Sequence, residues 1–158
     1  MKKALTFLFV IISYFSYSQK FYKQIGEKDI NQERLKVSKS FAQEYLQKCE
    51  NKDYSKFQNY IIDSRSTKKL NDSIKENCEK MYIDYGKTEI LNLNSSYYHK
   101  YAKNYDPLEL FIFDFKTEKN PEIKYASVWI YKDKNVIAGL WFSKEKPLKR
   151  NKIKDKKQ

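Results

Sequence analysis

The sequence predicts an α+β domain in which N-terminal helices pack on one face of a four-stranded antiparallel sheet. Residues 27–85 contain neither Gly nor Pro, which favours helices. Apolar residues recur there at intervals of three and four, whereas beyond residue 87 they alternate at every second position. The first period is typical of helices and the second of strands. Helices followed by a run of antiparallel strands make an α+β domain.

The first helix is expected over residues 29–50. Asp29 or Asn31 suits its N-cap, because a short polar side chain there accepts a hydrogen bond from the first turn. The apolar residues form one stripe with charged residues opposite, as in an amphipathic helix. This stripe consists of Val37, Phe41, Ala42, Tyr45, Leu46 and Cys49.

Two further helices are expected before the sheet. Asp53 suits the N-cap of a short second helix, whose apolar residues are Tyr54, Phe57 and Ile61. Ser66 suits the N-cap of a third helix over about 67–84, whose apolar face is Leu70, Ile74, Cys78 and Met81. Gly86 is expected to end that helix, since glycine adopts the left-handed conformation found just beyond a helix.

Four segments of alternating polarity predict the strands, and they cover residues 88–101, 108–116, 122–131 and 136–143. The short link between the last two predicts a hairpin. In the second strand one side carries Phe111, Phe113 and Phe115, while the other carries Leu108, Leu110, Ile112 and Asp114. A sheet with one solvated face has polar residues on that face. Two apolar faces therefore indicate a strongly curved sheet or an outer face that self-associates.

Met1–Ser18 has the pattern of a secretory signal peptide. Two lysines precede an apolar run over 5–12, and Ser16 and Ser18 place small residues at positions −3 and −1 of a cut before Gln19. The alternative, a membrane anchor, needs an apolar run of roughly 20 residues. A lipid anchor would require a Cys directly after the cut, and the first Cys is Cys49. We expect a soluble exported protein, periplasmic or extracellular, without a lipid anchor or a membrane span.

The charge is concentrated at the C-terminus. The chain carries a net charge of +12, and residues 144–158 contribute eight basic and two acidic residues. The basic residues are 29 Lys and only 3 Arg, whereas sequence-specific contacts to nucleic acid and phosphate clamps favour Arg. We therefore expect no specific nucleic-acid site. The predicted organisation is a signal peptide at 1–18, an N-terminal lead at 19–28, one domain at 29–143 and a disordered basic tail at 144–158.

The two cysteines suggest a disulfide. Cys49 and Cys78 are the only ones in the chain, and each lies on the apolar face of a predicted helix. Export would bring both into an oxidising compartment, where such bonds persist. We expect the two helices to pack together and a disulfide to join them. The alternative is a pair of buried thiols.

The order of segments resembles a known superfamily. An amphipathic helix precedes ENKDYSKFQNYI at residues 50–61, a third helix follows, YGKTEILNL at 85–93 enters the first strand, and a hairpin closes the domain. Over residues 33–143 the chain resembles small exported bacterial domains of the nuclear-transport-factor-2-like superfamily, which are close to the cystatin-like shape. The resemblance implies a cone, with the sheet curled around the first helix and a pocket at the wide end. It implies no particular activity.

Four residues are candidate site residues: His99, Asp114, Tyr125 and Trp129. His99 is the only histidine, so a His-rich metal site is excluded, and we predict no metal and no cofactor. Asp114 lies between two phenylalanines, where burial would raise the pKa of a carboxyl and suit a general base. A salt bridge at the sheet edge is the simpler alternative for Asp114, and a structural role is the alternative for His99.

The remaining two candidates are aromatic. Tyr125 and Trp129, with Tyr85 and Trp141, would line a pocket or belong to the core. The sequence contains no Gly-rich phosphate loop, no HExxH and no CxxC. It therefore favours an exported non-catalytic binding or interaction module for a small hydrophobic ligand or a protein partner.

Two other functions stay open. One is a small-molecule enzyme of the isomerase or dehydratase type, using Asp114 or His99. The other is a weak adaptor for anionic surfaces such as lipid, polysaccharide or nucleic acid. A homodimer through the sheet is a further expectation, since both strand faces are apolar.

Overall fold

The computed structural model describes residues 21–99 and 106–148. The predicted signal peptide and residues 149–158 of the predicted tail lie outside the described residues. Three helices and six strands follow one another in the described parts. The helices are α1 (Gln32–Glu50), α2 (Ser64–Thr67) and α3 (Ile74–Tyr85), and the strands are β1 (Tyr22–Gln24), β2 (Ile61–Ile62), β3 (Thr88–His99), β4 (Leu108–Thr117), β5 (Tyr125–Tyr131) and β6 (Val136–Ser143).

The α+β class is confirmed, and the predicted sheet is corrected at both edges. The sheet is mixed and has six strands in the order β1-β3-β4-β5-β6-β2. Its four long strands are antiparallel neighbours as expected, whereas β2 pairs with β6 in parallel. Strands of two and three residues are too short to show an alternating pattern, so the prediction of four antiparallel strands missed them. β1 pairs with residues 97–99 of β3, so the predicted N-terminal lead supplies an edge of the sheet.

The predicted second helix is wrong. Residues 53–60 are irregular, and Ile61 and Ile62 form β2. The Lys48 ammonium donates to Asp53 Oδ2 at 2.7 Å, and to the carbonyl oxygen and Oγ of Ser55 at 2.9 and 2.7 Å. This nearly buried lysine side chain holds the segment against the end of α1, so Asp53 begins no helix.

The predicted third helix is divided. It begins earlier, as α2, continues through a π-helical turn at Lys68–Asp72 and resumes as α3. Asp63 rather than Ser66 caps its start, because the Asp63 side chain accepts from the Arg65 backbone N–H. Ser66 instead donates to the carbonyl of Ala138 on β6. The expected helix end is confirmed, since Gly86 has a φ of 69°.

The core lies between α1 and one face of the sheet. Asn31 caps α1 by accepting from the Arg34 N–H, and Arg34 forms a bidentate ion pair with Glu109 on β4 at 2.7 and 2.9 Å. The fully buried residues of this core are Phe41, Ala42, Phe111, Phe113, Ala126, Val128, Ile130 and Ile137. α1 therefore fills the inner face of the sheet with packed side chains.

A disulfide joins α1 to α3. The Cys49 and Cys78 sulfurs are bonded, and their Cα atoms lie 4.8 Å apart. That separation is within the range that a disulfide spans without backbone movement. Cys78 is nearly buried and belongs to the core cluster. The oxidised state of the two cysteines in solution stays a prediction.

Candidate functional site

The outer face of the sheet is the side turned away from α1, and all four predicted site residues lie on it. Successive side chains of a strand point to opposite faces, and Phe111, Phe113 and Val128 belong to the core on the α1 side. Their neighbours in sequence therefore point outward. The register pairs His99 with Leu108, Leu110 with Trp129, and Asp114 with Tyr125. The four candidate residues predicted from the sequence therefore lie on a single surface.

One half of this outer face is closed by aromatic side chains, and we call it the closed half (Tyr22, Tyr97, His99 and Trp129). The Tyr22 hydroxyl accepts from Trp129 Nε1 at 3.2 Å, although the two residues belong to β1 and β5. The two side chains therefore meet across β3 and β4, above Leu110, which is fully buried. Burial raises the pKa of Tyr22, against the opposing effect of the Trp129 hydrogen bond.

His99 belongs to the closed half. Its ring lies 4.1 Å from the Phe21 ring and 5.0 Å from the Tyr22 ring, measured between centroids. Only 3% of its surface is exposed. Burial lowers the pKa of the imidazole, and a backbone hydrogen bond involving Asp106 opposes that shift. A nearly buried ring among aromatic neighbours fits the structural alternative for His99.

The other half, the open half, consists of Asn94, Asp114, Tyr125 and Trp141. Trp141 keeps 49% of its surface exposed, and it pairs with Ser127 beside Tyr125. The Asp114 carboxylate accepts from Asn94 Nδ2 at 2.7 Å, so a neutral amide replaces the predicted salt bridge. The open half therefore combines an accessible indole, a half-buried phenol and a hydrogen-bonded carboxylate.

Two lysines approach the rings of the open half. Lys69, on the π-helical turn, places its Nζ 4.4 Å from the Trp141 ring centroid. Lys146, just beyond β6, places its Nζ 5.7 Å from the Tyr125 ring centroid. Both distances allow cation–π attraction. Within the described residues, neither ammonium belongs to an ion pair, so both charges are available to an anionic ligand.

A polar cluster at the rim of the outer face was missed by the sequence analysis. The Asp63 carboxylate accepts from Arg65 Nε and Nη2, both at 3.0 Å, and from the Tyr131 hydroxyl. Arg65 also reaches Asp106 at 3.3 Å. The Arg65 guanidinium holds the pKa of Asp63 well below its usual range, and burial, reinforced by Asp63, raises the pKa of Tyr131 to about 12.

This rim cluster ties the α2 region to the sheet. Asp63 and Arg65 begin α2, whereas Tyr131 ends β5 and Asp106 precedes β4. The sequence showed only a polar loop at residues 63–66, and no spacing rule connects that loop to a tyrosine 68 residues away. Every polar group of this rim cluster is hydrogen-bonded or ion-paired to another member. The cluster therefore has a structural role, since it holds α2 against the sheet.

The register separates His99 from Asp114. His99 on β3 is opposite Leu108 on β4. Asp114 lies six residues beyond Leu108 on β4, which is a distance of roughly 20 Å. Both side chains point away from α1. The enzyme hypothesis requires Asp114 or His99 to point into an interior pocket. The structure places both side chains on the outer face instead.

An open groove of about 470 Å³ runs along the exposed side of α1. It is lined by polar residues of α1, among them Glu44 and Glu50, by residues 88–90 at the start of β3 and by Tyr60. Burial raises the pKa of Tyr60, and Glu44 adds to that shift. The groove contains none of the four residues predicted as a site.

Over residues 21–99 and 106–148, no three His, Cys, Asp or Glu side chains are grouped so that they would hold a metal ion. The helices in these ranges are all too short or too polar to cross a bilayer. Comparison of the chain with protein-family models, with curated proteins and with solved structures finds no match.

Proposed function

We propose that the protein is an exported, non-catalytic binding module that takes its ligand on the open half of the outer face. The observation that carries this proposal is the exposure of Trp141 on a sheet face where its neighbours are covered. Scattered exposed apolar residues need no explanation. Here, however, an indole, a phenol and two unpaired ammonium groups lie together, and aromatic side chains with one accessible face are typical of binding sites.

The filled interior supports an external site. The resemblance implies a cone with a pocket at its wide end, whereas the space between the sheet and the first helix is filled. Phe41, Phe111 and Phe113 are fully buried there, and core side chains at normal packing density leave no room for a ligand. A small hydrophobic ligand inside the domain is therefore the weaker form of the binding hypothesis.

Membership of the nuclear-transport-factor-2-like superfamily is likewise our proposal. A long first helix packed across four long antiparallel strands supports it. Export is proposed from the signal-peptide pattern of Met1–Ser18 and is supported by the Cys49–Cys78 disulfide, since such bonds form in oxidising compartments.

The experiment uses 1-anilinonaphthalene-8-sulfonate, a fluorescent probe with fused rings and one anionic group. We expect the secreted protein to bind it, and Trp141→Ala to weaken binding at least fivefold. Tyr82→Ala is the matched control, because Tyr82 is 69% exposed and has Lys119 5.0 Å from its ring on another surface. Equal binding by both variants would contradict the proposal.

A further inference from the structure

Three aromatic residues form a bent row on the outer face, with Trp129 and Tyr125 on β5 and Trp141 between them on β6. Trp129 is opposite Gly139, and Trp141 is opposite Ser127, two residues from both Trp129 and Tyr125 on β5. Diagonal neighbours in a sheet are about 7–8 Å apart. The four-residue distance from Trp129 to Tyr125 along β5 gives a row roughly 13 Å long. The row therefore matches an extended ligand better than a compact one.

Polar groups lie between and beside these rings. Ser127 Oγ is fully buried on this face and has no hydrogen-bond partner, although buried hydroxyls nearly always have one. Ser95 Oγ donates to Asn94 Oδ1 at 3.1 Å, and Asn94 donates to Asp114. A ligand for this surface would therefore present apolar patches to the rings and hydroxyl groups to the intervening polar atoms.

The charge of the surface favours an anionic ligand. Lys69 and Lys146 flank the row, and Lys116 follows Asp114 on the same strand face. Asp114 and the nearby Glu145 are the opposing carboxylates, and Glu89 is opposite Lys116 in the register. The positive charge open to a ligand is therefore that of Lys69 and Lys146 beside the rings, rather than a net charge of the whole surface. A lysine resting on a ring can turn toward an anion that arrives beside that ring, because its stem is long and flexible.

We propose that the open half, extended by Trp129, binds a chain of an acidic polysaccharide. This inference rests on the proposed function and names its ligand class. Pyranose rings present C–H groups on one face, which pack on indole and phenol rings, and hydroxyls at their edges, which bond to serine, amide and carboxylate groups. The carboxylates of a uronate chain would pair with Lys69 and Lys146.

Other occupants fit this surface less well. A second copy of the chain, related by a two-fold axis, would place the same patch of both copies face to face. Each copy would bring its two unpaired lysines into that interface, and like charges that meet there oppose association. An anionic lipid surface would attract the lysines, but it would leave Asp114 and the serine hydroxyls against the membrane. Phosphatidylglycerol vesicles test the lipid alternative directly.

The experiment compares polygalacturonate with its fully methyl-esterified form, which has the same backbone without charge. We expect the secreted protein to bind polygalacturonate, with at least tenfold weaker binding for Trp141→Ala and several-fold weaker binding for Lys69→Gln. The esterified polymer should bind more weakly than the acid. Tyr82→Ala should bind as the unaltered protein does, and circular dichroism of each variant checks that it is folded.

Three results would overturn the inference. Polyglutamate or phosphatidylglycerol vesicles binding as tightly as polygalacturonate would show attraction to charge alone. Binding of polygalacturonate that Trp141→Ala leaves unchanged would place the polymer elsewhere. The unaltered protein could also bind the fluorescent probe, with weaker binding by Trp141→Ala, and yet not bind polygalacturonate. That result would refute the acidic polysaccharide and leave the proposed function standing.

Discussion

The two faces of the sheet are made from the same four long strands and are covered in different ways. The inner face is covered by α1, whose Phe41 is fully buried against Phe111 and Phe113. The outer face is covered in its closed half by side chains alone, with Tyr22 and Trp129 hydrogen-bonded above Leu110. Its open half has no such cover, and Trp141 remains accessible. Because the chain itself does not cover the open half, we propose that a ligand covers it.

The sharpest test of this comparison is a pair of truncations, one on each face. Phe41→Ala should cost about 3–5 kcal/mol of unfolding free energy, because it leaves a cavity in a packed core. Trp141→Ala should cost less than about 1 kcal/mol, since half of the indole already contacts water. Urea unfolding measures both, with Lys39→Ala as the control on α1. Equal costs for the two truncations would remove the distinction between the faces.

The inner face should also depend on the disulfide. Replacing both Cys49 and Cys78 by Ala should lower the unfolding free energy by about 3–4 kcal/mol, given the loop of 29 residues that the bond closes. Mass spectrometry of the purified protein under non-reducing conditions should find no free thiol. Two alkylated cysteines without reduction would refute the bond and favour the alternative of buried thiols.

The rim cluster of the outer face should make stability depend on pH. The folded pKa of Asp63 lies below its unfolded value, so its contribution is present above about pH 4 and is lost as the pH falls through the folded value. Asp63→Asn should therefore cost about 1–3 kcal/mol at pH 6, the range of hydrogen bonds to a charged group, and less at pH 2.5. Urea midpoints at the two pH values measure this. A variant whose deficit stays constant would show that the carboxylate charge is not involved.

The smallest effect is expected in the closed half. Tyr22→Phe removes the acceptor for Trp129 Nε1 and keeps the ring, so the loss should be about 0.5–1.5 kcal/mol. Trp129 fluorescence should shift as its indole N–H changes partner. An unchanged stability together with an unchanged spectrum would indicate that Tyr22 does not cover the outer face in solution.

Sequence patterns identified what is periodic in this protein. The alternation in β4 and β5, the apolar stripe of α1 and the glycine that ends α3 are each set by neighbours in the chain, and each was predicted. The outer position of His99 and Asp114 depends on which strand face α1 covers, which alternation alone does not decide. The strands β1 and β2 are too short for a pattern.

The contacts that pattern analysis missed join distant residues. Lys48 holds residues 53–55 through three hydrogen bonds. The Asp53 side chain is engaged there and does not cap the second helix that the capping rules predicted. Asp63 meets Tyr131 only because α2 docks at the sheet rim. Such contacts between distant residues form only in the folded chain. The four candidate residues could therefore be predicted from the sequence, but their division between a closed and an open half could not.

The most direct test of the open half is the behaviour of the two tryptophan indole N–H groups. Trp129 and Trp141 are the only tryptophans, so a nitrogen–proton correlation spectrum shows one indole signal from each. On titration with trigalacturonate, the Trp141 signal should move most. The Trp129 signal, held by Tyr22, should move less. If the Trp141 signal stays in place while backbone signals along the α1 groove shift, the ligand binds elsewhere and the open half is not the binding surface.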